Sequence, residues 1–263
     1  MVAEPLCQRN GPLQHLSVLT TNQHMPLQCR PMRLDKFIAS NTAYSRSEVR
    51  QLARAARLQV NGLMAKDPGL PLTPDDIVLL DGIAVSARGL RYYMLHKPAG
   101  VVCATEDGGH RTALDLLAGE ARDGLHVAGR LDMDTTGLVL ITDDGQWSHR
   151  IKAPGRHEKR YRVHTARPIT VEAITQFAQG LLLRGEEDQP TRPARLEIIS
   201  PQEALVWLQE GRYHQVKRMF AAIGNHVEGL HREAVAGIEL DPALPQGQWR
   251  PLTAAEISQG LPA

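Results

Sequence analysis

Apolar and polar positions follow two periods in the first organised part of the chain, residues 32–89. Arg33–Ala39 has the apolar spacing of a short helix, and a second helical pattern begins after Ser45. Glu48 stands three residues beyond Ser45, which indicates a capping box at the start of that helix. Leu58–Gly62 alternates like a strand and ends in Asn-Gly, a strong hairpin signal. The pattern predicts a small domain of two helices and a few short strands over residues 32–89.

From residue 90 onward the pattern is one of strands separated by turns that contain Pro or Gly. Strand-like runs lie at Tyr92–Val102, Leu138–Thr142, Lys159–His164, Arg195–Ser200 and Ala204–Gln209. Val216–Ile223 has helical spacing and is followed by Gly224, a typical helix stop. Because strands outnumber helices and hairpin turns recur, we expect an α+β fold. Residues 90–263 would form a second domain around a mixed, mostly antiparallel sheet.

Residues 1–31 have neither period. They are polar and are interrupted by several prolines, a composition that does not build a packed core. We therefore predict an N-terminal extension over residues 1–31. It is either disordered or the product of an incorrectly assigned start, with Met32 as the true one.

Basic residues are concentrated in the small domain. Between residues 33 and 57 there are six, against the two acids Asp35 and Glu48. The six are Arg33, Lys36, Arg46, Arg50, Arg54 and Arg57. The last four have helical offsets that place them on one face, where like charges repel unless an anion neutralises them. The stripe predicts contact with RNA or DNA, and an ordinary solvated helix face is the alternative.

Composition limits the classes of protein to which the chain could belong. The chain has 263 residues, a net charge of +1 and 42% hydrophobic residues, as in a globular protein of one or two domains. It contains no apolar stretch of the roughly 20 residues that a membrane helix needs, and no secretory signal pattern. Cys7, Cys29 and Cys103 lack metal-binding or disulfide spacing, and the histidines are scattered. We expect a cytoplasmic monomer without a metal site or membrane association.

The run Gly129–Leu138 is the strongest candidate for chemistry. It carries Arg130 and Asp132 on a loop bounded by glycines, and it leads directly into the apolar run Val139–Thr142. Side chains on such a loop are held by the sheet while they face a cleft, a common position for catalytic groups. Taken alone, the run is better explained by a turn in which Asp and Thr side chains bond their own backbone.

Five segments together give the chain a specific resemblance. They are Gly129–Leu138 (G-R-L-D-x-x-T-T-G-L), Lys159–Val163 (K-x-Y-x-V), Gly211–Met219 (G-R-x-H-Q-V-[KR]-R-M), Arg33–Ala39 (R-L-D-K-F-I-A) and Val60–Gly62 (V-N-G). In these segments the chain resembles the pseudouridine synthases. It is most similar to the branch that acts on ribosomal RNA and carries a fused S4-type RNA-binding domain. The resemblance spans roughly residues 32–256.

The resemblance implies a reaction and a role for each motif residue. Asp132 would be the nucleophile, Tyr161 would pack against the target base, and Lys217 would ion-pair with the Asp132 carboxylate. Arg130 would help to hold the RNA open after the base leaves the stack. The reaction moves the ribose from N1 to C5 of uracil without redox change or hydrolysis, so it requires no metal or cofactor. The expected partner is ribosomal RNA or a small-subunit assembly intermediate.

The chemistry of these residues agrees with the implied roles. A nearby lysine favours the ionised form of a carboxylate, and Lys217 lies near the start of a predicted helix, where backbone N–H groups also favour negative charge. The target atom cannot be reached inside a stacked helix, so the base must be extruded onto an aromatic surface. Tyr161, which we expect on an exposed strand face, is a good candidate among only 11 aromatic residues.

Three alternatives remain open at this point. Asp132 and Asp134, assisted by the acidic pair at 143–144, could bind magnesium for phosphoryl transfer, an activity that excess EDTA would abolish. A non-catalytic RNA-binding or assembly factor would use the basic helix without needing intact catalytic motifs. Within the family, Asp144–Ile151 and His214–Ala222 are most similar to the small-subunit enzymes. A sibling that acts on 23S rRNA is the alternative there.

Overall fold

The computed structural model describes residues 32–120, 122, 124–186 and 188–260. The extension predicted over residues 1–31 lies outside this part of the chain. The described residues form one set of elements before residue 90 and another after it, and their apolar cores have no residue in common. None of the helices in the described ranges is long and apolar enough to span a membrane.

The first set contains two helices and six short strands within the described residues. They are β1 (Met32–Arg33), α1 (Leu34–Asn41), α2 (Arg46–Arg54), β2 (Leu58–Val60), β3 (Leu63–Met64), β4 (Pro71–Leu72), β5 (Val78–Leu80) and β6 (Ile83–Ala84). An antiparallel sheet has the order β3-β2-β5-β6, and β1 pairs with β4. Apolar residues of both helices, among them Leu34, Ile38, Val49 and Leu52, are buried together in the core. The predicted helices and the hairpin at Asn61-Gly62 are confirmed.

The capping box predicted for α2 is present. The Glu48 N–H donates to the Ser45 hydroxyl, and the Ser45 N–H donates to the Glu48 carboxylate at 2.7 Å. These two bonds satisfy backbone donors that the first turn of a helix cannot satisfy itself. The start of α2 is therefore encoded locally, in four consecutive residues.

Helix α2 ends earlier than the arginine spacing predicts. Ala56 has a φ of +55°, its N–H donates to the Ala53 carbonyl, and the Arg57 N–H donates to the Leu52 carbonyl. These two bonds form a Schellman motif, in which the position of Ala56 is usually occupied by Gly. Arg57 thus lies beyond the helix, and the prediction that it shares a helical face with the three preceding arginines is wrong.

The second set is built around one large sheet. Its elements are β7 (Tyr92–Lys97), β8 (His126–Val127), β9 (Thr136–Thr142), α3 (Gly145–Lys152), β10 (Lys159–Thr165), α4 (Glu172–Gln179), β11 (Arg195–Ser200), β12 (Glu203–Leu208), α5 (Gln215–Ala222), β13 (Val227–Val235), β14 (Ile238–Glu239), β15 (Trp249–Pro251) and α6 (Ala254–Gln259). The strand order is β11-β12-β10-β13-β9-β7-β15, with β14 beside β13 and β8 beside β9. Strands β9 and β13 are parallel, and the other described pairs of this sheet are antiparallel. The predicted α+β fold with a mixed, mostly antiparallel sheet is confirmed.

Strand β9 is buried on both faces of the large sheet. Val139 and Ile141 belong to the apolar cluster that includes α4 and α5, whereas Leu138 and Leu140 belong to the cluster that includes α3. Burial on both faces explains why this strand is an unbroken apolar run rather than an alternating one. The loop that precedes β9 is consequently attached to the most deeply buried part of the sheet.

Gly137 is required where β9 meets β13. It pairs with Arg232 across the parallel ladder and has a φ of +108°. A β-carbon at Gly137 would overlap the backbone of Arg232, so no other residue fits without moving one of the two strands. The glycine near the end of the Gly129–Leu138 motif therefore brings the loop and β13 into close contact.

Candidate active site

Lys97, at the end of β7, binds the backbone of the Gly129–Leu138 loop. Its side chain is fully buried at the end of β7, and its Nζ donates to the carbonyl oxygens of Thr135 at 2.7 Å, Pro98 at 2.9 Å and Met133 at 3.1 Å. Burial, the largest cause, lowers the pKa of this ammonium group. All three of its donors are used, so Lys97 fixes the loop backbone on both sides of Asp134.

Arg232 holds the same loop from the side of β13. Its buried guanidinium donates to the carbonyl oxygens of Gly129 at 2.9 Å, Arg130 at 3.2 Å and Leu138 at 2.9 Å. These acceptors lie at the two ends of the loop, which Arg232 therefore closes. The position of Asp132 is set by two buried cations that bind backbone rather than side chains.

Asp132 faces Lys217, which projects from the first turn of α5. The Lys217 Nζ is 3.1 Å from Asp132 Oδ2 and 2.6 Å from Asp134 Oδ1. The Asp132 side chain is 27% exposed and the Asp134 side chain 71%. The hydrogen bond from Lys217 lowers the pKa of Asp134. Burial lowers the pKa of Lys217, but its bonds to the two carboxylates outweigh this effect and raise it.

The ion pair expected from the resemblance is thus present, and Lys217 shares it between two carboxylates. Because the ammonium group lies against both Asp132 and Asp134, these two side chains do not form an open cation site. Within the described ranges, no group of three or more His, Cys, Asp or Glu side chains could hold a metal ion.

His214 makes a second contact with Asp132 that sequence analysis missed. Its Nε2 lies 3.5 Å from Asp132 Oδ1, on the opposite oxygen from Lys217. The residue precedes α5 with a left-handed φ of +47°, a conformation that costs free energy outside glycine. The signal in the sequence is a histidine of the Gly211–Met219 motif directly before a predicted helix, and a search of the histidines for metal ligands alone does not find it.

Tyr161 lies on the opposite face of β10 from the one predicted. Arg160, Arg162 and His164 form the more accessible face, whereas Tyr161 is only 8% exposed. The expectation of an exposed strand face is therefore wrong, because β10 is covered on one side by the apolar cluster of α4 and α5. Leu131, the residue before Asp132, belongs to the same apolar cluster as Tyr161.

The predicted RNA-binding residues fall into two groups. Arg33 donates to Asp35 at 3.1 Å through two nitrogens, and Arg57 donates to Asp81 at 2.7 and 2.5 Å. The remaining residues are exposed, and no carboxylate in the described part of the chain is within ion-pair distance of them. They are Lys36, Arg46, Arg50 and Arg54 in the first set of elements, and Arg130 in the Asp132 loop.

The fold and this site define the class of the protein once they are compared with known families. A family model described as RNA pseudouridylate synthase matches residues 91–222, and an S4 domain model matches residues 32–78. The chain therefore belongs to the RNA pseudouridylate synthase family and is an RNA pseudouridine synthase. The resemblance identified from the motifs, including the S4 module, is confirmed.

Individual relatives match most of this chain and nearly all of their own length. The "Ribosomal small subunit pseudouridine synthase A" of Escherichia coli (strain K12) is 49% identical over 229 residues, 86% of this chain and 99% of that protein. The protein of the same name from Haemophilus influenzae is 46% identical over 230 residues, 87% of this chain and 99% of that protein. A crystal structure of a pseudouridylate synthase matches with a TM-score of 0.64 and 43% identity, over 88% of this chain and all of that one.

Proposed function

We propose that this enzyme converts one uridine of small-subunit ribosomal RNA into pseudouridine, and that the target is uridine 516 of 16S rRNA. The substrate class is supported by relatives that are 46–49% identical and bear the name of a small-subunit enzyme. The reaction is supported by the Asp132 carboxylate, which is held between Lys217 and His214 on a loop fixed by Lys97 and Arg232. The substrate would be the RNA itself or a small-subunit assembly intermediate.

In this proposal Asp132 is the nucleophile. The N1–C1′ bond of the uridine breaks, the detached uracil turns, and C5 bonds to C1′ while the C5 proton is lost and N1 is protonated. A carboxylate that attacks the sugar or the base, or that draws a proton from the sugar, divides this rearrangement into easier steps. Lys217 stabilises the negative charge of Asp132 and fixes the orientation of its carboxylate through Oδ2. The carboxylate stays partly exposed, so a substrate can reach it.

The extruded base would meet Tyr161 and Arg130. Because Tyr161 is almost fully buried, it contacts the base as part of a rigid apolar wall rather than as an open platform. No hydrogen bond joins its hydroxyl to another described residue, so this group is available to the substrate. Arg130 is exposed while its backbone carbonyl is held by Arg232, a suitable position for a side chain that enters the gap left by the base.

We assign RNA docking to residues 32–89 and catalysis to residues 90–263. Lys36, Arg46, Arg50 and Arg54 are exposed in the first of these segments without a carboxylate partner among the described residues. Cations of this kind bind phosphate groups and release counterions, which favours association with RNA of any sequence. Arg33 and Arg57 are already neutralised by Asp35 and Asp81, so they contribute less.

The Asp132 assignment is tested with a matched pair of isosteric variants. Asp132→Asn and Asp134→Asn each remove one negative charge from the same loop, and both side chains contact Lys217. Tritium release from 16S rRNA labelled at C5 of uridine should fall by at least about 10³-fold in Asp132→Asn. Tritium release should fall by less than about tenfold in Asp134→Asn, because the Asp134 side chain is more exposed than that of Asp132 and is not the proposed nucleophile. Equal losses would show that the two carboxylates have no separate roles.

The target is tested by mapping pseudouridine with carbodiimide in rRNA from a deletion strain. Loss of the signal at position 516 of 16S rRNA is the expected result. Loss at a 23S position instead would identify a large-subunit enzyme.

Tritium release by the purified protein should persist in excess EDTA, since an activity that EDTA abolishes would favour metal-dependent chemistry.

A further inference from the structure

Tyr213 is an exposed aromatic residue next to the catalytic carboxylate. It is 73% exposed, whereas the other Phe, Tyr and Trp residues of the described chain are buried or half-buried. Its ring is stacked on His214, with a centroid distance of 3.8 Å and an interplanar angle of 20°. His214 in turn lies 3.5 Å from Asp132. The two rings form a short column that starts at the carboxylate and ends in solvent.

The turn that carries this column is held firmly. The Arg212 N–H donates to the side-chain oxygen of Gln215 at 2.9 Å, and the Arg218 N–H donates to the His214 carbonyl at 3.0 Å. The Arg218 guanidinium donates to the Tyr213 carbonyl at 3.3 Å. An aromatic side chain on a fixed backbone loses little conformational entropy when a ligand stacks on it. The arrangement is thus suited to binding.

Packing within the protein does not account for the position of Tyr213. One face of the ring is covered by His214, and no other aromatic ring of the described residues stacks on the opposite face. An exposed ring that covers no core surface gains nothing from folding, but it provides a π-surface on which any nucleobase can stack.

Phosphate binding is a weaker explanation for this part of the surface. The neighbouring Arg212 and Arg218 guanidinium groups both donate to Glu186, at 3.0 and 2.6 Å. Arg212 also donates to the Gln189 and Pro190 carbonyls. With these two cations engaged, the exposed ring of Tyr213 is a better candidate than either arginine for contact with RNA.

We propose that Tyr213 is an RNA-binding residue, and that a nucleobase adjoining the target uridine stacks on its open face. The base, Tyr213 and His214 would then form a three-ring column that ends at Asp132, and the stacked base would add to the affinity for RNA without changing how the target uridine lies over the carboxylate. The inference rests on the proposed function, because it assumes that a flipped uridine is bound at Asp132. It adds a contact with the RNA outside the reacting nucleotide.

The test uses three forms of a short 16S rRNA fragment that contains the target uridine labelled at C5. One form is intact, one has an abasic nucleotide on the 5′ side of the target, and one has an abasic nucleotide on the 3′ side. Tyr213→Leu should raise the Kd for the intact fragment about tenfold, in line with loss of one stacked base. Tyr213→Phe should bind like the unsubstituted protein. Single-turnover tritium release at saturating enzyme and the salt dependence of binding should both be unchanged in Tyr213→Leu.

The abasic fragments identify the stacking partner. One of them should bind the unsubstituted protein about tenfold more weakly, and Tyr213→Leu should cause no further loss on that fragment. Additive losses on both fragments would overturn the proposal. A fall in the single-turnover rate with an unchanged Kd would also overturn it, since Tyr213 would then act by holding His214 against Asp132.

The outcome can be separated from that of the proposed function. Binding is measured without turnover, whereas tritium release by the unsubstituted protein on the same fragment tests the reaction. A Tyr213 effect on binding without any tritium release would support stacking and contradict the assigned target. Thermal unfolding of Tyr213→Leu should match that of the unsubstituted protein, because the ring covers no core surface.

Discussion

Lys97 and Arg232 carry charge in the interior of the protein and use it to hold backbone. A buried cation is costly unless its donors are satisfied. Here the acceptors are six carbonyl oxygens: those of residues 98, 133 and 135 for Lys97, and of residues 129, 130 and 138 for Arg232. The arrangement fixes the Asp132 loop to β7 and β13 at once. At the scale of single residues, the position of Asp132 therefore depends on two buried side chains that bind the backbone of its loop.

Lys97→Met tests this dependence. The substitution keeps the length of the side chain but leaves buried carbonyl oxygens without a donor, so the free energy of unfolding should fall by about 2–4 kcal/mol. Tritium release should fall as well, because the loop is no longer held at Met133 and Thr135. Urea unfolding and single-turnover assays measure the two effects.

Lys217→Met is the matched control for Lys97→Met. It also removes an ammonium group next to the loop, but that group contacts carboxylates rather than backbone. We expect a stability change of less than about 1 kcal/mol and a loss in turnover of at least about 100-fold. If the two lysine variants lost stability equally, Lys97 would have no special role in anchoring the loop.

Local motifs in the sequence indicate contacts such as the one between Asp132 and Lys217, whereas contacts that depend on burial or on the turn before α5, such as that of His214, are not evident from it. The contact between Asp132 and Lys217 that the motifs imply is present at 3.1 Å, and their roles in the reaction stay a prediction. Lys97 and Arg232 resemble ordinary strand residues, because only the packed sheet shows that they are enclosed. The predicted exposed face for Tyr161 on β10 is wrong, since alternation shows that the two faces of a strand differ but not which of them a helix covers.

At the scale of elements, helix starts were easier to predict than helix ends or strand partners. The capping box of α2 is encoded in four residues, whereas its end uses Ala56 in a position where Gly is the usual signal. The parallel pairing of β9 with β13 joins residues almost 100 positions apart, such as Gly137 and Arg232. No local pattern encodes that pairing, although Gly137 leaves room for it.

Helix α6 provides a pH-dependent test at this scale. The Glu256 carboxylate accepts from Arg250 at 2.8 and 2.9 Å and from the Thr253 N–H at 2.7 Å. The Arg250 hydrogen bonds are the largest cause that lowers the pKa of Glu256 to about 2. Glu256→Gln keeps the capping box but loses the charge, so it should destabilise the protein by about 1 kcal/mol at neutral pH.

The sign of the pH dependence follows from the lowered pKa. The stabilisation by Glu256 is fully present above about pH 4.3, the usual glutamate pKa, and is lost as the pH falls towards 2. Urea unfolding at several pH values between 7 and 3 should therefore show the gap between the two proteins closing. Glu48→Gln in the other capping box is the comparison: the Ser45 hydrogen bonds lower the pKa of Glu48, but no arginine of the described residues pairs with it. Its gap should therefore close by less than that of Glu256→Gln. A gap that is constant with pH would contradict the assigned ion pair.

At the scale of the whole molecule, the net charge of +1 conceals an uneven distribution. In the second set of elements many arginines are paired with carboxylates, as Arg162 is with Glu203 and Glu233. In the first set, Arg46, Arg50 and Arg54 on α2 face solvent. In the proposed function, these three arginines of α2 attract the phosphates of RNA, whereas the proposed catalytic groups lie in the second set of elements.

The charge-reversal variant Arg50→Glu/Arg54→Glu tests this division of labour. Log Kd against log salt concentration has a slope of about 0.7–0.9 for each phosphate neutralised. Loss of two contacts should therefore reduce the slope by at least about 1.4 and weaken binding at low salt. Single-turnover tritium release at saturating enzyme should stay within about twofold, since the Asp132 site is unchanged. Filter binding across a salt series and rapid-quench assays supply the two measurements.

A comparison of single neutralisations isolates the role of unpaired charge. Arg54→Gln and Arg57→Gln remove the same group three residues apart, but only Arg57 is held by a carboxylate, that of Asp81. An arginine that is already paired releases few counterions when RNA binds, so Arg57→Gln should leave the salt slope nearly unchanged while Arg54→Gln lowers it. If both variants changed the slope equally, Asp81 would not shield Arg57, and Arg57 would contact RNA together with the three arginines of α2.

A loss of the single-turnover rate at saturation in Arg50→Glu/Arg54→Glu would have a different meaning. In that case α2 would take part in positioning the target uridine, and docking and catalysis could not be assigned to separate parts of the chain.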